Sequence, residues 1–139
     1  MAGYSGTPLA KKLGIKPGSS VYFKGVPESV IAEIKTGEPS AKVVSRLTND
    51  IDVALVCSNK GANLAKALDT IKPKLAQDGG LWISWPKKSS GIATDVTETQ
   101  VREMGLASGL VDNKICAIDD TWSGLRFVIR VKDRKANPK

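Results

Sequence analysis

One stretch limits the folds open to this chain more than any other: Ile51–Lys88, IDVALVCSNKGANLAKALDTIKPKLAQDGGLWISWPKK. Asp52-Val-Ala-Leu-Val-Cys57 is a nearly unbroken apolar run. That is the pattern of a strand covered on both faces, as in a parallel sheet. Ser58 and Asn59 follow, and either can cap a helix by accepting from free amide N–H groups. Leu64, Leu68, Ile71 and Leu75 then recur at helical spacing as one stripe, with Lys60, Lys66, Asp69 and Lys72 largely off it. Pro73 does not fit a regular helix interior, so a kink or break is expected near Ile71–Lys72. Asp78-Gly79-Gly80 reads as the turn into a second strand, Leu81-Trp82-Ile83-Ser84-Trp85, which Pro86 ends. Strand, crossover helix and strand of this length form a right-handed parallel unit.

A chain of 139 residues has room for one domain with a sizeable core. Its 41% hydrophobic and 25% charged residues are those of a soluble globular protein. No apolar run approaches the roughly 20 residues of a membrane span. The start, MAGYSGTPLAKK, lacks the apolar segment of a secretory signal, so a cytoplasmic location is expected. Cys57 and Cys116 fall inside predicted strands among apolar neighbours, as reduced core thiols do. There is no histidine, which removes Ser-His and Cys-His catalysis and leaves too few ligands for a metal site. The net charge of +7 favours anionic partners. Arg130, Lys132, Arg134, Lys135 and Lys139 concentrate that charge at the end of the chain, where a solvated tail is the simplest account. No stacking aromatics punctuate the basic residues as single-strand nucleic-acid binding requires.

Outside the central unit, Thr7-Pro8-Leu9-Ala10-Lys11-Lys12-Leu13-Gly14 predicts a short helix with Thr7 as N-cap, Pro8 in the first helical position and Gly14 as its stop. Ser20–Lys24 is the first strand, and Glu28–Thr36 a helix that Gly37 closes. Ala41–Leu47 alternates like a strand near the sheet edge. Thr97 and Gln100 have capping-box spacing, so a helix is expected from about Glu98 to Ser108, ended by Gly109. Val111–Ile118 is a strand and Asp119–Gly124 a turn; Leu125–Val131 returns antiparallel, and the residues from Lys132 on are expected to fray.

This order of elements resembles the second half of the Rossmann-like methyltransferases. The run Leu68–Ile83 looks like the segment those enzymes carry before their fifth strand, and the closing antiparallel strand looks like theirs. A second resemblance is to a family of small bacterial proteins with no established activity. It rests on GYSGTPLAKKLGIKPG (Gly3–Gly18), DGGLWISWPKK (Asp78–Lys88) and GLVDNKICAIDDTWSGLRFV (Gly109–Val128). The expected fold is therefore a single Rossmann-like α/β domain over residues 1–131, with a basic tail over 132–139. Its sheet should hold about six mostly parallel strands, Val53–Cys57 lying between Val21–Lys24 and Leu81–Trp85, and an antiparallel last strand.

The methyltransferase resemblance implies an S-adenosylmethionine site with a glycine-rich turn after the first strand and an acidic residue ending the second. Here the turn is Lys24-Gly25-Val26-Pro27-Glu28, with one glycine and a proline. Arg46-Leu47-Thr48 stands where the acid belongs, and Asn49-Asp50 come late. Dinucleotide binding fails on the same turn, since G-x-G-x-x-G is absent. The candidate site is instead the rim that leaves the carboxyl end of the second core strand: Trp85, Lys87, Lys88, Ser89, Ser90 and Gly91. Two ammonium groups, two hydroxyls and a glycine backbone suit a phosphate or carboxylate. The Asp119–Gly124 turn should lie at the same end, with Trp122 placed to wall one side. The plainer account has Lys87 and Lys88 solvated or paired with Asp119 and Asp120, and Trp122 covering the hairpin. Those aspartates suit turn amides better than magnesium, so no metal is expected. Trp82 and Trp85, three apart in one strand, should point to opposite faces.

These residues favour a non-catalytic binding module for an anionic small molecule or a protein partner, with no cofactor and no membrane contact. An S-adenosylmethionine-dependent methyltransferase, or a degenerate relative of one, remains the alternative. Nucleic-acid association through the basic surface is the second.

Overall fold

In a computed structural model, which describes residues 8–134, the predicted unit forms the centre of the molecule. Strand β3, Ile51–Cys57, and strand β4, Leu75–Pro86, pair in parallel with Ala54 opposite Leu81 and Val56 opposite Ile83. Helix α3, Gly61–Ile71, connects them and buries Leu64, Ala67, Leu68 and Ile71. The helix breaks where Pro73 demands, into a single 3-10 turn at Lys72–Lys74.

Two details of this unit differ from expectation. Asp78-Gly79-Gly80 is not a turn before the strand: β4 already begins at Leu75. The ladder passes from Ile51–Leu75 directly to Val53–Gly80, so residues 76–79 bulge out of it. Gly79 is needed at the bulge, because a Cβ there would sit 2.7 Å from the Ile51 carbonyl oxygen. Nor does Ser58 or Asn59 cap α3. The cap position is Lys60, without a side-chain bond, and Asp95 Oδ1 accepts from the Gly61 N–H at 2.8 Å. A carboxylate brought in from a distant loop meets the positive end of the helix dipole.

The sheet order is β2-β1-β3-β4-β6-β5. Strands β1, Ser20–Lys24, and β2, Lys42–Val44, run parallel to the centre. Strand β6, Trp122–Ile129, is antiparallel to β4, and β5, Leu110–Ala117, pairs on its outer side. The flanking of β3 by β1 and β4 is as the sequence predicts. At the edge, β2 is three residues rather than the seven of Ala41–Leu47. Residues 45–50 must carry the chain from the end of β2 back past β1 to the start of β3, and the strand stops early enough to allow it. Leu47 of this return packs against the core, and Asp50 makes the final bend with φ +62°.

Two clusters cover the two faces. Under α3 and α4 (Glu98–Ala107) lie Val56, Leu81, Ile83, Trp85 and Phe127; under α1 (Leu9–Lys12) and α2 (Glu28–Gly37) lie Val21, Val53, Leu55 and Trp82. The two tryptophans take opposite faces, as their spacing requires. Trp82 Nε1 donates to the Leu13 carbonyl at 3.0 Å, tying the buried indole to the end of α1. The Thr97–Gln100 capping box is present in both directions. The expected cap Thr7 lies outside the described residues, and Pro8 occupies the cap position rather than the first helical one. Past β6, Val131–Asp133 forms a 3-10 turn with Arg130 paired to Asp133 at 2.9 Å, where fraying was expected. Among the described residues no helix is long and apolar enough to cross a membrane.

Candidate functional site

The sheet order creates a switch point. From β1 the chain winds outward through α2 to β2, and from β3 it winds the other way through α3 to β4. The connections leaving the carboxyl ends of β1 and β3 diverge onto opposite faces and leave a crevice between them, the place where open α/β sheets take ligands. Gly25 lets the chain leave β1 tightly: its φ is +70°, and a Cβ there would overlap the Cys57 carbonyl oxygen at the end of β3.

A cleft of about 400 Å³ opens here. Tyr22 and Lys24 of β1 form one side, Val56 to Ser58 the base, and Asn63, Lys66 and Thr70 of α3 the other side. Lys24 and Lys66 are exposed, and neither forms an ion pair among the described residues. Among the described residues no carboxylate lines the cleft. Ser58 Oγ is engaged locally, accepting from the Lys60 amide and from Asn63 Nδ2, both at 3.1 Å. With Asp95 on its first amide, the N-terminus of α3 already holds a negative group. The crevice was implicit in the expected strand order; its side chains were not, because Lys66 and Thr70 read in sequence as an ordinary solvated helix face.

The seven predicted rim residues are placed variously. Trp85 is buried in the α3–α4 cluster, whereas Trp122 is half-buried against the other cluster, across the sheet. The rim and the hairpin turn do meet. The Lys87 amide donates to the Thr121 carbonyl at 2.8 Å, and Lys87 Nζ donates to the Asp119 carbonyl at 2.9 Å. Ser90 Oγ donates to the Lys87 carbonyl at 2.6 Å, and Gly91 closes the 3-10 turn Lys88–Ser90 with φ +77°. Lys88 and Ser89 are exposed. Asp119 serves the turn, Oδ1 accepting from the Thr121 and Trp122 amides at 2.8 Å each. Among the described residues no group of histidine, cysteine, aspartate or glutamate has the makings of a metal site.

Cys57 ends β3 beside the crevice. Burial pushes its thiol up to about 12, against a smaller lowering by the Ser84 hydroxyl and a further rise from Asp119. At neutral pH it is a thiol and not a nucleophile. Unfolded, the same group loses its proton near its ordinary value, so between about pH 9 and pH 12 the folded state holds the extra proton. Stability should therefore fall as pH rises through this window. Urea melts at pH 8 and pH 10.5 on the protein and on Cys57→Ala check this: the variant's stability should fall less between the two.

No family model matches the chain, and no curated protein matches it. Solved structures do. A TehB-like SAM-dependent methyltransferase from Corynebacterium glutamicum aligns with 93% of this chain and 91% of its own, at TM-score 0.55 and 15% identity. The precorrin-6y C5,15-methyltransferase of Geobacter metallireducens aligns over 87% and 85%, at TM-score 0.61 and 10% identity. A SAM-dependent methyltransferase from Aquifex aeolicus aligns over 84% and 85%, at TM-score 0.58 and 17% identity. At such identities the likeness is one of fold: the chain has the methyltransferase-like α/β fold that its layout suggested. The similarity to a family of small bacterial proteins has no counterpart in these comparisons.

Proposed function

We propose that the chain is a non-catalytic relative of the methyltransferases, a binding module that holds an anionic small molecule in the crevice between β1 and β3. One observation carries this reading: among the described residues, two lysines without ion-pair partners flank a cleft at the switch point, and no carboxylate lines it. A site of that charge attracts phosphate or carboxylate groups. Lys88 and Ser89, exposed at the same edge of the sheet, are the rim residues left to extend it.

A second reading has its own support. The neighbours in fold are described as SAM-dependent, and their cofactor would meet the chain near this edge. Against it, β2 ends at Val44 and is followed by Ser45 and Arg46, so the acid that this resemblance asks for is missing.

Thermal-shift titration separates the two. A ligand at about 100 times its dissociation constant adds about 2.7 kcal/mol, which moves the melting point of a domain this size by several degrees. Nucleotides, coenzyme A or short polyphosphate should give such a shift, and Lys24→Ala/Lys66→Ala should abolish it while melting unchanged without ligand. A shift with S-adenosylhomocysteine alone would establish the second reading. A phosphate-dependent shift that survives the double substitution would move the site away from the crevice.

A further inference from the structure

The opposite edge of the sheet, where the parallel strands begin, holds a second cleft of about 340 Å³. Residues 14–19, following α1, form one wall, and Asp52, Asp78 and Arg126 form the other. Arg126 lies opposite Trp82 in the β4–β6 ladder and its guanidinium rests directly on Gly80, where any Cβ would overlap it. The absence of a side chain at 80 thus creates the seat for the guanidinium.

That cation is half-buried, and none of the ion pairs among the described residues includes it. Asp52 lines the same cleft but accepts from the Ser20 amide at 2.9 Å. Asp78 lines it too, yet forms no ion pair with Arg126 among the described residues. Burial first, and Arg134 second, lower the Arg126 pKa from the usual value. Taking a guanidinium partly out of water without a carboxylate in ion-pair contact is unfavourable. A well-placed arginine of this kind is one whose partner arrives from outside the chain. Its planar fork matches the two oxygens of a carboxylate or phosphate. Lys16, exposed on the facing loop, supplies a second cation. Gly14 and Gly18, with φ +82° and +79°, turn the chain along this wall.

We infer that this cleft is a second ligand site, separate from the crevice, that binds a small oxyanion (a carboxylate or phosphate group) on the Arg126 guanidinium with Lys16 opposite. The test is an NMR titration of the Arg126 Nε–Hε resonance and the backbone amides of residues 14–19 and 80. Sodium phosphate and sodium acetate are added separately, with sodium chloride holding ionic strength constant. Saturable shifts confined to these resonances are expected, and the anion that binds more tightly identifies the class. Lys16→Ala should weaken binding several-fold without changing the melting point. Arg126→Met should abolish binding and melt higher than the parent, because an apolar side chain of similar length replaces a half-buried charge that has no ion-pair partner among the described residues. Lys24→Ala/Lys66→Ala should leave the shifts intact, which separates this site from the crevice. The inference is overturned if neither oxyanion gives a saturable shift, or if the shift persists in Arg126→Met. An Arg126→Met protein that melts lower would give the arginine a structural role and overturn it as well. Should that variant fail to fold, an unweakened titration of Lys16→Ala would do the same.

Discussion

Gly105→Val is expected to cost about 3 kcal/mol or more in a urea melt, the upper range for forcing atoms into a packed core. Gly105 is buried on the inner side of α4, and a Cβ there would overlap the Phe127 ring. That ring has no exposed surface and stands among Ile83, Val101 and Leu125, so it has nowhere to retreat. Intrinsic propensity points the other way, because glycine inside a helix is about 1 kcal/mol less favourable than alanine. Contact therefore decides the sign. Gly105→Ala should already be destabilising, and Phe127→Leu should recover part of that loss by making room. If Gly105→Val melts like the parent, α4 does not lie this close to the sheet.

Gly25→Val should damage the crevice most. The residue has φ +70°, which costs an L-amino acid roughly 1–2 kcal/mol. A Cβ would also overlap the Cys57 carbonyl oxygen, a backbone atom fixed by the ladder between β3 and β4. We expect a loss of about 2–3 kcal/mol of stability, from strain and clash combined. We also expect at least about a tenfold loss of affinity for any ligand held there, equivalent to about 1.4 kcal/mol. Two further variants separate the causes. Gly14→Ala has the same kind of backbone, φ +82°, with nothing within 4 Å, and should show the strain alone. Gly25→Asn relieves strain but keeps the Cβ, so it should remain nearly as damaging as Gly25→Ala. Equal effects of Gly14→Ala and Gly25→Ala would mean that the clash at Cys57 is absorbed.

What could be read in the sequence was what local periodicity records. The apolar run of β3, the stripe on α3, the break at Pro73 and the capping box at Thr97 each involve neighbours in the chain, and each stands where predicted, except that Leu75, read as the last residue of the stripe, opens β4 instead. The layout of elements also anticipated the sheet. Features that depend on distant partners left no such trace. Asp95 caps a helix that begins 34 residues earlier, and nothing in its spacing announces this. Asp78-Gly79-Gly80 has turn composition, but its glycines answer to Ile51 across the ladder and to Arg126 on the next strand. Lys87 belongs to a conspicuous basic pair, yet its ammonium is held by the Asp119 carbonyl. Tyr22 and Lys66 come to line one cleft only once β1 lies beside β3.

The return from β2 to β3 acts as a ruler. At about 3.4 Å per step, residues 45–50 reach at most roughly 24 Å between Val44 and Ile51. Much of that is needed to pass β1, since neighbouring strands lie about 4.8 Å apart. Every residue added to β2 would move its end about 3.3 Å away while taking a step from the tether. The tether thus leaves β2 room to grow by little more than one residue, and keeps this edge of the sheet short. A long, flat outer strand invites pairing with other chains. By limiting the length of β2, the short tether makes the edge a poor template for aggregation.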